Sequence, residues 1–154
     1  LAAGGEPRAS IAGLIVAAFA VGGMAYSLSV RQLLRWFSQK QMMIAGGMLA
    51  AVGLFAVGSS PPWPMQAAAF AFMGCGFYML HASIQVFVTE FAPATRSSAV
   101  AFHTFSFFIG GGISPIAYGF GLDMFGPAIT LSIAGTAMAL IGVVSAQLLV
   151  KPRV

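Results

Sequence analysis

Five stretches of this chain, 11–30, 42–58, 65–89, 98–120 and 128–150, are apolar throughout and hold no Lys, Arg, Asp or Glu. Each is close to the ~20 residues needed to cross ~30 Å of hydrocarbon at ~1.5 Å per residue. Backbone groups in lipid must be satisfied within the segment, so helix is the state predicted for all five. Barrel strands would be shorter and would alternate apolar with polar residues, which these do not. Composition agrees: 59% of the residues are hydrophobic and 6% are charged, whereas a soluble domain needs about 25% charged residues to wet its surface.

The connectors are short, which makes sequential helices antiparallel neighbours. Segment 31–41 is polar and basic, 59–64 is an uncharged turn rich in Ser and Pro, 90–97 carries Pro93 and Arg96, and 121–127 carries Asp123 and Gly126. Alternating sides collects Arg31, Arg35, Lys40, Arg96, Lys151 and Arg153 on one side and leaves Arg8 on the other. Cytoplasmic loops carry the excess of Lys and Arg, so the N-terminus is expected outside and the C-terminus in the cytoplasm. Trp36 and Trp63 fall where interfacial aromatic belts lie. The net charge of +4 is therefore topogenic. A nucleic-acid binder would gather its basic residues on one solvated face, so no nucleic-acid partner is expected.

The chain begins at Leu1, and five spans entered from outside without a signal sequence are an unusual arrangement. Both features lead us to expect a missing upstream segment. Three motifs point to what is missing. Arg35-Trp36-Phe37-Ser38-Gln39-Lys40 joins the first two spans, Thr89-Glu90-Phe91-Ala92-Pro93-Ala94-Thr95-Arg96-Ser97-Ser98-Ala99 joins the third and fourth, and Gly110-Gly111-Gly112-Ile113-Ser114-Pro115 is followed by Gly119, Asp123 and Gly126. With Gly76-Phe77-Tyr78-Met79-Leu80-His81, these stretches resemble helices eight to twelve of the twelve in the major facilitator superfamily, and bacterial efflux-type members in particular. The first resembles the second copy of the family's motif A, with Arg35 in place of Asp, Ser38 in place of the second Gly and Gln39 in place of a basic residue. The second resembles the acidic, Pro and Arg run between helices ten and eleven, with Ser97 where Gly is common. The third resembles the Gly-rich helix eleven.

Polar residues inside the spans are the candidate functional groups, because such residues are costly in lipid and turn towards a bundle interior or a wet cavity. Tyr78, His81 and Gln85 recur at spacings of three and four on one helical face. The resemblance makes theirs helix ten, which lines the family's central cavity, so they are expected either to line a substrate pathway or to hydrogen-bond a neighbouring helix. His81 titrates near neutral pH in its ordinary state, which allows proton coupling. His103, with Ser106, reads as a packing or interfacial residue, with a role in proton movement as the alternative. Gly111, Gly112 and Pro115 suit close helix packing or a hinge, since Pro removes a backbone donor. Arg31, Arg35, Glu90 and Arg96 gather at one interface, where they serve as anchors or as a cytoplasmic gate latched by a Glu90–Arg ion pair.

No Ser, His and acid constellation lies at one membrane depth, and Glu90 and Asp123 lie on opposite sides, so an enzyme is not expected. No cofactor or metal is expected either: Cys75 stands alone, and no His, Cys, Asp and Glu group has zinc spacing. The fold expected over 1–154 is all-α, with five transmembrane helices forming part of one six-helix half of a major facilitator fold. The resemblance implies secondary active transport of a small solute across the cytoplasmic membrane by alternating access, in the efflux direction. The chain's partners would be the lipid bilayer, the substrate and the missing N-terminal half, without which it would be inactive. The alternative is a non-transport membrane assembly subunit or scaffold.

Overall fold

The computed structural model describes residues 5–91 and 93–150. The described residues are helical: α1 (Gly5–Trp36), α2 (Gln39–Gly58), α3 (Trp63–Phe91), a short 3-10 turn (Pro93–Thr95) and α4 (Arg96–Leu148). Ala92, Lys151 and Arg153, which the sequence places in the acidic-Pro-Arg run and on the basic side, lie outside the described residues.

All four long helices are apolar and long enough to cross a membrane. The count is four rather than the five expected. The predicted connector 121–127 is not a loop: helical backbone runs through it and is interrupted at Gly126 alone, where φ is 74° and ψ is 173°. That conformation is open essentially only to glycine. Pro127 then starts the second arm, where its missing N–H leaves no intrahelical bond unmade. The two arms of α4, α4a (96–125) and α4b (127–148), fold back on each other. The notch at Gly121 receives Thr130, whose Cγ2 would lie 2.8 Å from a Cβ placed there. Further from the break, Phe107 shares a cavity with Met138 and Ile141. The chain therefore changes direction as expected, with one residue doing what the prediction gave to seven.

Other boundaries also shift. The basic connector 31–41 is mostly helical, because α1 continues to Trp36. At ~1.5 Å per residue its 32 residues span about 48 Å, which carries Arg31 and Arg35 past the hydrocarbon. Within that segment only Phe37 and Ser38 are non-helical. Ser38 caps α2 with a capping box: the Gln41 N–H donates to Ser38 Oγ at 3.3 Å, and the Ser38 N–H donates to Gln41 Oε1 at 2.8 Å. In the turn after α2, Ser60 takes φ 54° and its N–H donates to the Val57 carbonyl at 3.0 Å. Trp63 and Pro64, read as turn, already belong to α3.

Small residues hold the helices together. A Cβ on Gly46 would meet Gly76 O and Leu80 N of α3 at 2.8 Å each. One on Gly47 would meet the Met138 carbonyl of α4b at 2.7 Å. At Gly74 of α3 it would collide with the Phe19 carbonyl of α1. Spacings this short bring backbones together and maximise dispersion contact, which drives helix association where the hydrophobic effect does not act. The result is a layer in which α1, α3, α2 and α4b follow one another. Hydroxyls contribute little across helices: Ser27, Ser83, Ser106 and Thr136 each donate to a carbonyl of their own helix at 2.8–2.9 Å.

Two buried clusters, Tyr26–Met42–Met79 and Met43–Leu80–Ala146, lie in the half of the bundle where α1 ends and α2 begins. The alternation of direction places Arg31, Arg35, Lys40, Glu90 and Arg96 at that same end. Large apolar side chains such as Leu28, Phe102, Phe108 and Ile116 remain exposed. Water would not tolerate so continuous an apolar surface, whereas lipid does.

Candidate functional site

The helical period puts the rings of α3 on a face that α2 does not cover. Ala69, Met73, Gly76 and Leu80 meet α2, while Phe77, Tyr78 and His81 turn towards rings on α1 and α4a. Phe77 is the middle residue of α3 (Trp63–Phe91), so these rings lie at mid-depth of the apolar bundle.

The rings form a connected series. Phe19 of α1 lies 5.6 Å from Phe77 and 5.9 Å from Tyr78, centroid to centroid. Phe77 meets Tyr78 edge-on at 5.6 Å and stacks on His81 at 5.7 Å with 4° between planes. His81 lies 4.8 Å from Phe107 and 5.5 Å from His103, both on α4a. Separations of 4.5–7 Å are those of favourable ring pairs. The Tyr78 ring also covers Gly23, where a Cβ would come within 2.5 Å of it.

Of the predicted pathway residues, Tyr78 and His81 join this series and Gln85 does not. Gln85 is exposed further along the same face. Phe19, Phe77, Phe107 and His103 complete the series, and the sequence reading missed them. Aromatic residues in an apolar span look like filler, and nothing in one sequence gives the register between α3 and α4a. His103 is not an isolated interfacial residue: it is half-buried, and its Nε2 is buried without a hydrogen-bond partner.

The predicted gate residues Arg31, Arg35, Glu90 and Arg96 share one end of the bundle, and all are exposed. Arg35 Nη1 reaches Gln32 Oε1 on its own helix at 3.4 Å, and among the described residues no ion pair joins Glu90 to these guanidinium groups. The predicted hinge residues Gly111, Gly112 and Pro115 lie within unbroken helix. Pro115 leaves the Gly111 carbonyl without its backbone donor, and Ser114 Oγ lies 3.3 Å from it as a substitute. A Cβ on Gly110, Gly111, Gly112 or Gly119 would meet nothing among the described residues.

Two cavities adjoin the imidazoles. One, of about 160 Å³, is lined by Phe77, His81, Ile84, Phe107, Met138 and Ile141, among others. The other, of about 350 Å³ and nearer the basic end, is lined by Phe87, Phe102, His103, Ser106 and Leu149, among others. A larger concavity of about 590 Å³ on α4b alone offers only the hydroxyls of Ser132 and Thr136 as side-chain polar groups. Among the described residues no group of three or more metal-ligating side chains converges. No family model, curated protein or solved structure matches the chain.

Proposed function

We propose that this chain is part of a secondary active transporter that moves a small solute across the cytoplasmic membrane by alternating access, in the efflux direction. The observation that carries the reading is the series of rings that joins α1, α3 and α4a beside a cavity lined by Phe77, His81 and Phe107. It sits at mid-depth of a membrane bundle, and it combines apolar rings with Tyr78 and two imidazoles. Binding sites for small molecules have this character, with mostly apolar walls and a few placed polar groups. Transporter sites of this kind lie near the bilayer midplane between repeats. In this reading the described helices supply one wall, and the remaining wall belongs to further helices of the same protein, as the resemblance to the major facilitator superfamily implies. The basic end faces the cytoplasm, where Arg31, Arg35, Glu90 and Arg96 form the gate.

The test is solute movement by the full-length protein in proteoliposomes under an imposed pH gradient, screened across lipophilic solutes. Expected is gradient-driven accumulation of at least one solute, reduced about tenfold or more in Tyr78→Ala, the factor that ~1.4 kcal/mol of lost contact represents. Absence of movement for every solute under either gradient contradicts the reading.

One observation favours a second reading, that of a membrane assembly subunit. Gly110, Gly111, Gly112 and Gly119 of α4a meet nothing among the described residues, as they would on a helix that awaits a partner helix. Co-purification of a stoichiometric membrane partner, with no solute movement, supports that alternative.

A further inference from the structure

The histidines of this chain are two in number, they sit on different helices, and the fold brings them together. Their rings stack with centroids 5.5 Å apart and 27° between planes. Phe77 lies on one side of His81 and Phe107 beside it. His103 lines the cavity nearer the basic end and His81 the deeper one. Chance packing of two polar rings against each other in an apolar span leaves polar atoms without partners, and His103 Nε2 is such an atom, buried and unbonded. Groups of this kind in a membrane mark ion and proton pathways by default.

We propose that His81 and His103 form a single proton-binding unit, which takes one proton from the cavity at the basic end and passes it inward. The coupling role rests on the transport reading above. The proton arrives at a ring nitrogen of His103. Stacked rings do not aim nitrogen at nitrogen, so one water relays the proton: the His103 N–H bond breaks as its proton bonds to the water oxygen, and another O–H bond of that water breaks as its proton forms the new N–H bond of His81. No electron moves, and the charge travels with the proton.

The pair accepts one proton and resists a second. Two imidazolium rings at this separation repel, and among the described residues no countercharge faces them. The cavity at His81 presents Phe77, Leu80, Ile84, Phe107, Met138 and Ile141, and the cavity at His103 presents Phe87, Phe102, Ser106 and Leu149, among others, none of which is titratable. The nearest charged groups along the two helices are Glu90 and Arg96, nine and seven residues away in sequence. At ~1.5 Å per residue they sit more than about 10 Å along their helices. Groups coupled in this way release protons in macroscopic steps that belong to the pair.

The chain's two histidines make the test direct. The full-length protein, segmentally labelled so that His81 and His103 alone carry nitrogen-15 and held in lipid nanodiscs, is titrated by NMR. Expected are ring signals from both residues that respond together at a first midpoint, with a second midpoint lower by more than about one pH unit. In His103→Phe, which keeps a ring in the stack, His81 titrates in one step and the second step disappears. In His81→Phe the same is seen for His103. Two independent titrations, neither moved by loss of the other ring, overturn the proposal. The wild-type titration alone separates joint from independent protonation, so a variant that does not fold leaves the test intact. No solute is present, so failure of the transport reading and failure of the histidine pair are separate results.

Discussion

The layer of α1, α3, α2 and α4b and the arm α4a are built from the same residue types, but they use glycine in opposite ways. In the layer, Gly46, Gly47 and Gly74 sit against neighbouring backbone with no room for a methyl group. In the arm, Gly110, Gly111, Gly112 and Gly119 meet nothing among the described residues, and only Gly121, next to the turn, is packed, against Thr130. A small residue permits close approach, but it does not cause one. The layer reads as the fixed part of the molecule. The arm is tied to it by the turn at Gly126 and by the contacts of His103 and Phe107 with α3.

Substitutions can break that contrast directly. The largest effect is expected from Gly46→Leu. Its side chain would have to displace α3 backbone, and overpacking costs about 1–3 kcal/mol or more. Reversible unfolding in mixed micelles should show a large loss, while Gly111→Leu should stay within about 0.5 kcal/mol of wild type. Equal losses at the two positions would erase the distinction between layer and arm. Next comes Gly126→Ala, which forces a Cβ into a backbone region essentially reserved for glycine, at about 1–3 kcal/mol. The same unfolding measurement checks it, and a cross-link between Gly121→Cys and Thr130→Cys in a Cys75→Ala background should weaken with it. Ser38→Ala removes the capping box of α2 and should cost about 1 kcal/mol, seen as a lower unfolding midpoint. The smallest change is a gain: Ser60→Gly relieves the left-handed φ of 54° and should stabilise by a few tenths of a kcal/mol up to about 1.

Much of the fold is legible in the sequence because lipid imposes a simple rule, a long charge-free run for each crossing. Connector lengths are less legible. Segment 31–41 looks like a loop because it is polar, yet polar residues prolong a helix well once it leaves the hydrocarbon. The true boundary was marked by Ser38 and Gln41, a capping pair three residues apart. The turn at Gly126 followed by Pro127 was likewise visible as two residues, but a single sequence does not show that one positive φ suffices to reverse the chain. At the candidate site, Tyr78 and His81 share one face of α3 and one series of ring contacts, as a spacing of three allows. His103 was read as interfacial because its meaning depends on which turn of α4a lies beside which turn of α3. That register is set by Gly121 against Thr130 and by the ring contacts, which are properties of the packed bundle.

Every functional inference above depends on a membrane bundle whose basic end lies in the cytoplasm. Single cysteines labelled with a membrane-impermeant maleimide in intact cells, in a Cys75→Ala background, probe that orientation with no assumption about transport. Ser60→Cys, in the turn between α2 and α3, is expected to be labelled from outside. Ser38→Cys, between α1 and α2, is expected to be labelled only after the membrane is opened. Labelling of Ser38→Cys in intact cells with Ser60→Cys protected, or recovery of the protein in the soluble fraction, would contradict this orientation.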